Sequence, residues 1–249
     1  SRLTGSKVLF TDSVSTESTI SSVTFDYMNG HREGASANAD EYAWMFRRAK
    51  GFFDIVAYGG TGSDRTQAHN LGVVPELILI KRRGPSNADW VWYVGPLGTG
   101  KYMYGDGGAE LSSTTIWSNT APTASVFSLG NQSGSTYRVN GSGSTYIAYL
   151  YATVAGISKI GSYTGTGSDL NVDCGFSAGA RFILIKRTDA GSDGWYVYDS
   201  VRGIVAGDDP YFLLNSTAVQ VTNTDYIDPL SSGFTVTSSA PAGLNASSG

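Results

Sequence analysis

Residues 95–101 have the glycine and lysine spacing of a phosphate-binding loop, because Gly95-Pro96-Leu97-Gly98-Thr99-Gly100-Lys101 fits the pattern G-x4-G-K. That chemistry also needs a Ser or Thr after the lysine to hold Mg²⁺, and a helix whose N-terminus faces the phosphates. Here Tyr102-Met103-Tyr104 follows the lysine, and such a run is typical of a strand. We therefore expect a glycine-rich connection between strands, with no nucleotide and no other cofactor bound.

A second string, Gly175-Phe176-Ser177-Ala178-Gly179, fits the G-x-S-x-G pattern of serine hydrolases. The nucleophile of that class sits on a strand-to-helix turn, and its histidine partner follows it in the chain. His31 and His69 both precede Ser177. The pattern therefore predicts an ordinary turn, and we expect a protein without catalytic residues.

The metal-binding residue types are few and widely spaced. Two histidines and the single Cys174 give no transition-metal spacing. Asp208-Asp209 and the pair Asp225 and Asp228 offer the oxygens that Ca²⁺ prefers, but they lack a full D-x-D-x-D loop. We expect solvated turns there and no metal. Paired carboxylates of a glycosidase remain an open alternative, because such pairs form in space and not in sequence.

Aromatic side chains are the residues best suited to ligand binding. The runs Trp90-Val91-Trp92-Tyr93 and Trp195-Tyr196-Val197-Tyr198 alternate as strands do, which favours core packing. Trp117 lies instead in the hydroxyl-rich stretch 112–122 and is the best candidate for an exposed aromatic side chain. An exposed indole can stack on a sugar ring, so Trp117 is the candidate binding residue.

Charge and hydropathy exclude several classes of partner. The formal net charge is 17 − 21 = −4, and only 15% of residues are charged. An acidic chain lacks the basic face that binds nucleic acid. No stretch approaches the ~20 apolar residues that span a bilayer, so we expect no membrane insertion. With one cysteine there is no disulfide framework.

The chain repeats itself at a constant spacing. Four segments return 105 residues later: YGGTGSD at 58–64 as YTGTGSD, ILIKR at 78–82 unchanged, WVWY at 90–93 as WYVY, and NGSGS at 140–144 as NASSG. A constant offset for four markers indicates a tandem duplication. We predict the C-terminal half of a first repeat at 1–50, a complete repeat at 51–155, and a repeat lacking its last strand at 156–249. Both ends then look cut from a longer chain.

Each repeat is predicted to be β structure. Short β-branched or aromatic runs bounded by Gly, Pro, Asn and Ser occupy Phe53–Tyr58, Leu77–Lys81, Trp90–Val94, Tyr102–Tyr104, Ser125–Leu129 and Tyr146–Tyr151. No window of a dozen residues combines helical periodicity with capping signals at both ends. We therefore predict an all-β protein made of tandem β-sandwich or jelly-roll-like repeats of about 105 residues.

The repeat resembles an uncharacterised β-rich repeat of structural and tail-associated proteins of tailed bacteriophages. The resemblance rests on Tyr163-Thr164-Gly165-Thr166-Gly167, on the run from Asn70 to Arg82, on Asp199-Ser200-Val201-Arg202-Gly203, on Gly233-Phe234-Thr235-Val236, and on Asn140–Ile147. It covers nearly the whole chain and is weakest at 1–50. The middle copy departs from it, with Val94-Gly95-Pro96-Leu97-Gly98 where the family has D-S-V-R-G.

The resemblance implies a non-enzymatic virion structural protein, expected to be a tail-fibre or receptor-binding segment that contacts the host surface. Its expected partners are other virion proteins and a host surface glycan, and its expected assembly is a homotrimer that covers sheet edges. The expected location is the particle exterior, after assembly in the bacterial cytoplasm. The alternatives are a capsid or tail decoration protein, and a carbohydrate-binding module or polysaccharide-degrading tailspike.

Overall fold

A computed structural model describes residues 6–20, 23–24, 32–33, 43–131, 138–191 and 193–247. The strands are β1 (Lys7–Val8), β2 (Ser18–Thr19), β3 (Val23–Thr24), β4 (Arg32–Glu33), β5 (Phe53–Gly59), β6 (Arg65–Ala68), β7 (Leu77–Gly84), β8 (Val91–Val94), β9 (Lys101–Tyr104), β10 (Gly107–Ser112), β11 (Val126–Leu129), β12 (Thr145–Tyr151), β13 (Leu170–Asp173), β14 (Phe182–Ile185), β15 (Tyr196–Asp199), β16 (Phe212–Leu213), β17 (Ile227–Leu230) and β18 (Gly233–Val236). A 3-10 turn spans Gly95–Leu97, and a short helix, α1, spans Ala242–Asn245.

The all-β prediction is confirmed, and five of the six strands predicted for residues 51–155 agree within one residue at each end, whereas the strand predicted at Leu77–Lys81 continues to Gly84. The first unit (residues 53–151) is built on a six-stranded antiparallel sheet in the order β10-β9-β8-β7-β12-β5. The last strand of this unit lies inside the sheet, because β12 pairs with β5 on one edge and with β7 on the other. The unit is therefore complete only when β12 is in place.

The two faces of the six-stranded sheet are both covered. One face packs against the two-stranded sheet β6-β11, and its core includes Ile80, Tyr146 and Leu129, all fully buried. The opposite face carries Trp92 and Met103, which belong to a separate cluster with Trp195 of the second unit. A strand that is covered on both faces needs apolar side chains on both, which explains the uninterrupted Leu-Ile-Leu-Ile of β7.

The second unit (residues 158–247) has two three-stranded antiparallel sheets, β14-β15-β16 and β13-β18-β17. Its core is a separate cluster that includes Ile183, Tyr198, Phe234 and Leu244. None of the sheets among the described residues closes into a barrel. The coarse architecture is thus a set of open antiparallel sheets packed in layers.

The same side-chain hydrogen bonds occur in both units, 105 residues apart. The Tyr58 hydroxyl donates to the carbonyl of Val139 at 2.8 Å, and the Tyr163 hydroxyl donates to the carbonyl of Leu244 at 2.8 Å. Tyr58 is buried and Tyr163 is half-buried against apolar neighbours, so a hydrogen-bond partner for each hydroxyl offsets its desolvation.

A buried asparagine fastens the Y-x-G-T-G-S-D loop in each unit. The Asn140 amide oxygen accepts the N–H of Thr61 at 3.0 Å, and its amide nitrogen donates to the carbonyls of Ser63 and Gly130 at 2.7 and 3.3 Å. Asn245 makes the corresponding bonds to the N–H of Thr166 and to the carbonyls of Ser168 and Thr237, each at 2.9 Å.

We predict that Asn140→Ala lowers the free energy of unfolding by about 3 kcal/mol, because it leaves buried backbone groups without partners. The measurement is urea denaturation followed by tryptophan fluorescence. The control is Asn70→Ala, an exposed position, for which we expect a change within about 0.5 kcal/mol. Equal effects of the two substitutions would contradict the assigned role of Asn140.

Candidate functional site: a polar depression on the first unit

The candidate site is an open surface depression of about 360 Å³ on the first unit. Its lining consists of one carboxylate, two amides and three hydroxyl side chains: Asp64, Asn119, Asn131, Thr114, Thr115 and Ser118. These groups offer both hydrogen-bond donors and acceptors. Such a lining suits a ligand rich in hydroxyl groups.

A turn between β10 and β11 shapes this depression. Ser118 and Asn119 both have positive φ, at 48° and 45°, in the left-handed region that side chains rarely adopt. The turn is held by the N–H of Ser118, which donates to the carbonyl of Thr115 at 3.2 Å, and by the N–H of Thr120, which donates to the carbonyl of Trp117 at 3.0 Å. Strained backbone of this kind clusters at functional sites.

Trp117 anchors the turn from inside, so the expectation of an exposed Trp117 was wrong. Only 2% of its surface is accessible, its indole N–H donates to the carbonyl of Lys101 at 2.9 Å, and its ring packs edge to face on Tyr93 at 5.5 Å. Ile116 beside it is fully buried. The hydroxyl-rich neighbours suggested exposure, but this apolar pair closes the core beneath the loop. Trp117 therefore supports the depression and does not line it.

The polar groups of the depression are already partly engaged. Asp64 accepts the N–H of Asn131, and the Thr99 hydroxyl donates to the Asn119 amide oxygen at 3.1 Å. The Ser118 hydroxyl is buried and has no hydrogen-bond partner among the residues that the structure describes. Sequence reasoning missed these residues. Asp64 ends the repeated Y-x-G-T-G-S-D string, which was the one available signal.

The two motif-like strings lie where the sequence predicted connections. The first contains the 3-10 turn Gly95–Leu97 and ends at Lys101, which opens β9 and forms an ion pair with Glu110. The second surrounds Ser177, which lies in a turn between β13 and β14. Neither string leads into a helix, as phosphate-binding and nucleophile loops require.

Two of the four aspartates considered for Ca²⁺, Asp208 and Asp209, accept backbone N–H groups. The buried carboxylate of Asp209 accepts the N–H groups of Tyr226 and Ile227 at 3.0 Å each, and Asp208 accepts the N–H of Asn223 at 3.0 Å. Across the described part of the chain, no group of three or more potential metal ligands is close enough to hold an ion. Burial raises the pKa of Asp209 to about 7, and Asp225 and Asp228 add to the shift.

A tryptophan contact joins the two units. The rings of Trp92 and Trp195 have centroids 3.8 Å apart, and both side chains are buried. The indole N–H of Trp195 also donates to the carbonyl of Tyr104 at 3.3 Å. Nearby, the Asn215 amide donates to the carbonyl of Asp106 at 2.9 Å. Apolar packing together with directional bonds fixes the orientation of one unit on the other.

A second joint involves the segment that precedes the first unit. Trp44 donates its indole N–H to Asp199 at 2.9 Å, and the Arg202 guanidinium lies 5.2 Å from the Trp44 ring centroid. Arg202 also ion-pairs with Asp199 at 2.8 Å and stacks 4.0 Å above Phe212. A planar guanidinium suits this combination of carboxylate and aromatic faces. The D-S-V-R-G string is therefore a docking point for Trp44.

The fold and these contacts define the class: an all-β protein of two layered units that pack through aromatic joints. The chain belongs to the family described as a domain of unknown function, DUF7483, whose model matches residues 31–249, and thus 219 of 249 residues. This match includes Trp44 and its docking point. No curated protein and no solved structure matches the chain. No helix in the described ranges is long and apolar enough to cross a membrane.

We predict a stability difference between the wild type and Asp209→Asn that depends on pH. The pKa of Asp209 is about 7 in the folded protein, against an ordinary value of 3.8, so between these values the folded state holds a proton that the unfolded chain has lost. The stabilisation from this proton is complete below pH 3.8 and is lost as the pH rises through 7. The asparagine variant cannot titrate, so its unfolding free energy lacks this decline.

The measurement is the free energy of unfolding by urea at intervals from pH 4 to pH 8. Asp208→Asn changes the same charge at the exposed neighbouring position and is expected to keep the decline. Parallel pH profiles for the wild type and Asp209→Asn would contradict the assignment.

Proposed function

We propose that this chain is a non-enzymatic structural component of a bacteriophage particle, namely a tail-fibre or receptor-binding segment made of tandem β-sandwich repeats. The repeats span 51–155 and 156–249, with 1–50 as the second half of another. The observation that carries the proposal is the pair of matching hydrogen-bond sets around Asn140 and Asn245, which suggests two copies of one building unit. Tandem units are how elongated surface proteins gain length.

The close packing of the two units supports a structural role. A buried tryptophan pair, together with the hydrogen bonds from Trp195 and Asn215 to backbone carbonyls of the first unit, leaves little freedom for one unit to turn on the other. A fibre or decoration on a particle needs such stiffness, whereas flexible linkers would serve a tethered binding module. Other virion proteins are the natural partners, and the particle exterior is the proposed location.

A glycan contact is proposed for the polar depression. Hydroxyl and amide side chains line it, together with the carboxylate of Asp64. A host surface glycan offers matching hydroxyl groups, and an open, shallow site suits a sugar within a long polymer. The proposed glycan contact accounts for receptor binding. If the protein binds no glycan, the decoration role is the remaining virion alternative.

The particle role is tested by immunogold electron microscopy of purified phage particles that encode this chain. We expect antibodies against the folded protein to label the exterior of intact particles at a defined position. Labelling at the tail supports the fibre assignment, and labelling over the capsid supports the decoration alternative. Absence of the protein from washed particles, by mass spectrometry, would overturn the virion role.

We predict that fluorescent protein binds intact host bacteria saturably, and that periodate oxidation of surface sugars abolishes the binding. Asn119→Gly should weaken binding about tenfold, since it removes one amide while glycine accepts the positive φ at this position. Asn223→Gly, at another asparagine of positive φ, is the matched control and should bind normally. Equal binding by both variants would contradict the glycan site at the depression.

A further inference from the structure

Strand β14 is an edge strand of its sheet, with half of its backbone amides directed away from β15. The N–H of Ser200 donates to the carbonyl of Arg181 at 3.0 Å, which marks Arg181 and Ser200 as a hydrogen-bonded pair. In an antiparallel ladder such pairs alternate, so the amides of Ile183 and Ile185 face β15. The amides of Phe182 and Leu184 face the opposite edge, and continuation of the same alternation places the amide of Lys186, just beyond β14, on that edge. No strand in the described part of the chain pairs with that edge.

The first unit shows what occupies the corresponding edge. Strand β7 contains the same Ile-Leu-Ile-Lys-Arg run as the segment 183–187. The edge of β7 that corresponds to the unpaired edge of β14 is paired with all seven residues of β12. The N–H of Ala152 donates to the carbonyl of Phe52 at 3.1 Å, so by alternation the amides of Ile147, Tyr149 and Tyr151 face β7.

The other neighbour of β12 also has an unfilled counterpart in the second unit. In the first unit β5 pairs with β12 and buries Phe53, Asp54 and Tyr58. The corresponding residues 158–164 form no strand and are more exposed. In the first unit β5 and β7 lie on either side of β12. Their counterparts in the second unit, residues 158–164 and β14, have no described strand between them.

We propose that the edge of β14 is an acceptor site for a strand with the sequence pattern of β12, supplied by another repeat unit of the same kind. This inference rests on the tandem-repeat part of the proposed function. The occupant lies antiparallel to β14, with its fifth and seventh residues opposite Leu184 and Phe182, as Tyr149 and Tyr151 lie opposite Leu79 and Leu77. Addition of a strand to an open sheet edge is an established mode of protein association.

The second residue of the occupant has a specific place. In the first unit Tyr146 stacks on Tyr58, with ring centroids 5.2 Å apart, and its hydroxyl accepts the N–H of Gly141 at 2.8 Å. Tyr163 and Ala246 hold the corresponding positions in the second unit, and Tyr163 already makes the same bond to the backbone as Tyr58. A tyrosine at this position of the occupant stacks on Tyr163 and accepts the N–H of Ala246.

The preceding segment of the chain does not fill this edge within the described residues. Its alignment with the end of β12 makes residues 43–46 the nearest candidate, but they form no ladder with β14. Trp44 packs on both Phe182 and Phe212, whose rings lie 5.7 and 6.5 Å away. Phe212 belongs to β16, on the far side of β15, so Trp44 crosses the outer face of the sheet. Phe46 also packs on Phe182, with ring centroids 5.9 Å apart, but among the described residues no backbone ladder covers this edge.

The test uses the full chain and a fluorescent peptide of residues 143–153, Gly-Ser-Thr-Tyr-Ile-Ala-Tyr-Leu-Tyr-Ala-Thr, with two added lysines for solubility. We expect saturable one-to-one binding by fluorescence anisotropy, with amide NMR shifts concentrated at residues 182–186 and at Tyr163. The same peptide with its Tyr149→Pro loses an amide that faces β14 and should bind at least about tenfold more weakly.

A matched change in the protein is Lys186→Pro, which removes one outward amide and leaves the ladder with β15 intact. We expect weaker peptide binding with unchanged circular dichroism, and the proline peptide keeps the test decisive should this variant fold poorly. Three results would overturn the proposal: no binding, binding with shifts away from β14, or self-association of the free chain through this edge. If purified particles contain the protein but the peptide does not bind, only the acceptor site is refuted. If the peptide binds but the protein is absent from the particles, only the virion role is refuted.

Discussion

The insertion of β12 between β5 and β7 is the interaction on which the first unit depends. Seven residues of this strand pair on both edges, and the inward side chains of Tyr146, Ala148 and Leu150 are fully buried. Without β12 the sheet divides, and the core loses its central row of side chains. Because β12 is the last strand of the unit, its pairing with β5 spans nearly the whole unit in sequence. Contacts of this separation slow folding, so the unit must form as one piece.

Burial of the sheet on both faces is the second constraint, and it explains the sparse charge of the chain. Lys81 illustrates it, because this side chain is fully buried in the first unit. Its ammonium donates to the carbonyls of Ser13 and Ala88 at 2.8 and 2.6 Å, and burial lowers its pKa to about 8. The carbonyls compensate for lost hydration, as a buried cation requires. The segment around Ser13 thus covers the outer face and belongs to the folded body.

The fold class was predictable from the sequence because strand signals are local. Runs such as Leu-Ile-Leu-Ile and Tyr-Ile-Ala-Tyr-Leu-Tyr consist of residues that favour β-strands, and glycine-rich turns bound them. The order of strands in the sheet was not predictable, because nothing local places β12 between β5 and β7. The same limit applies to Trp117: its polar neighbours indicate a surface loop, and only the three-dimensional path of that loop turns the indole inward. The role of Arg202 was hidden likewise, since Trp44, Asp199 and Phe212 meet it from distant parts of the chain.

One difference between the two units is the strand that carries Ile-Leu-Ile-Lys-Arg, which among the described residues pairs on both edges in the first unit and on one edge in the second. Amide hydrogen exchange of the free full-length chain, resolved by residue with NMR, tests this difference most directly. The account predicts slow exchange at Leu77, Leu79 and Lys81, whose amides are bonded to β12, and fast exchange at Phe182, Leu184 and Lys186, with Ile183 and Ile185 slow. Equally slow exchange at all the β14 amides would contradict an open edge in the second unit, and with it the proposed acceptor site.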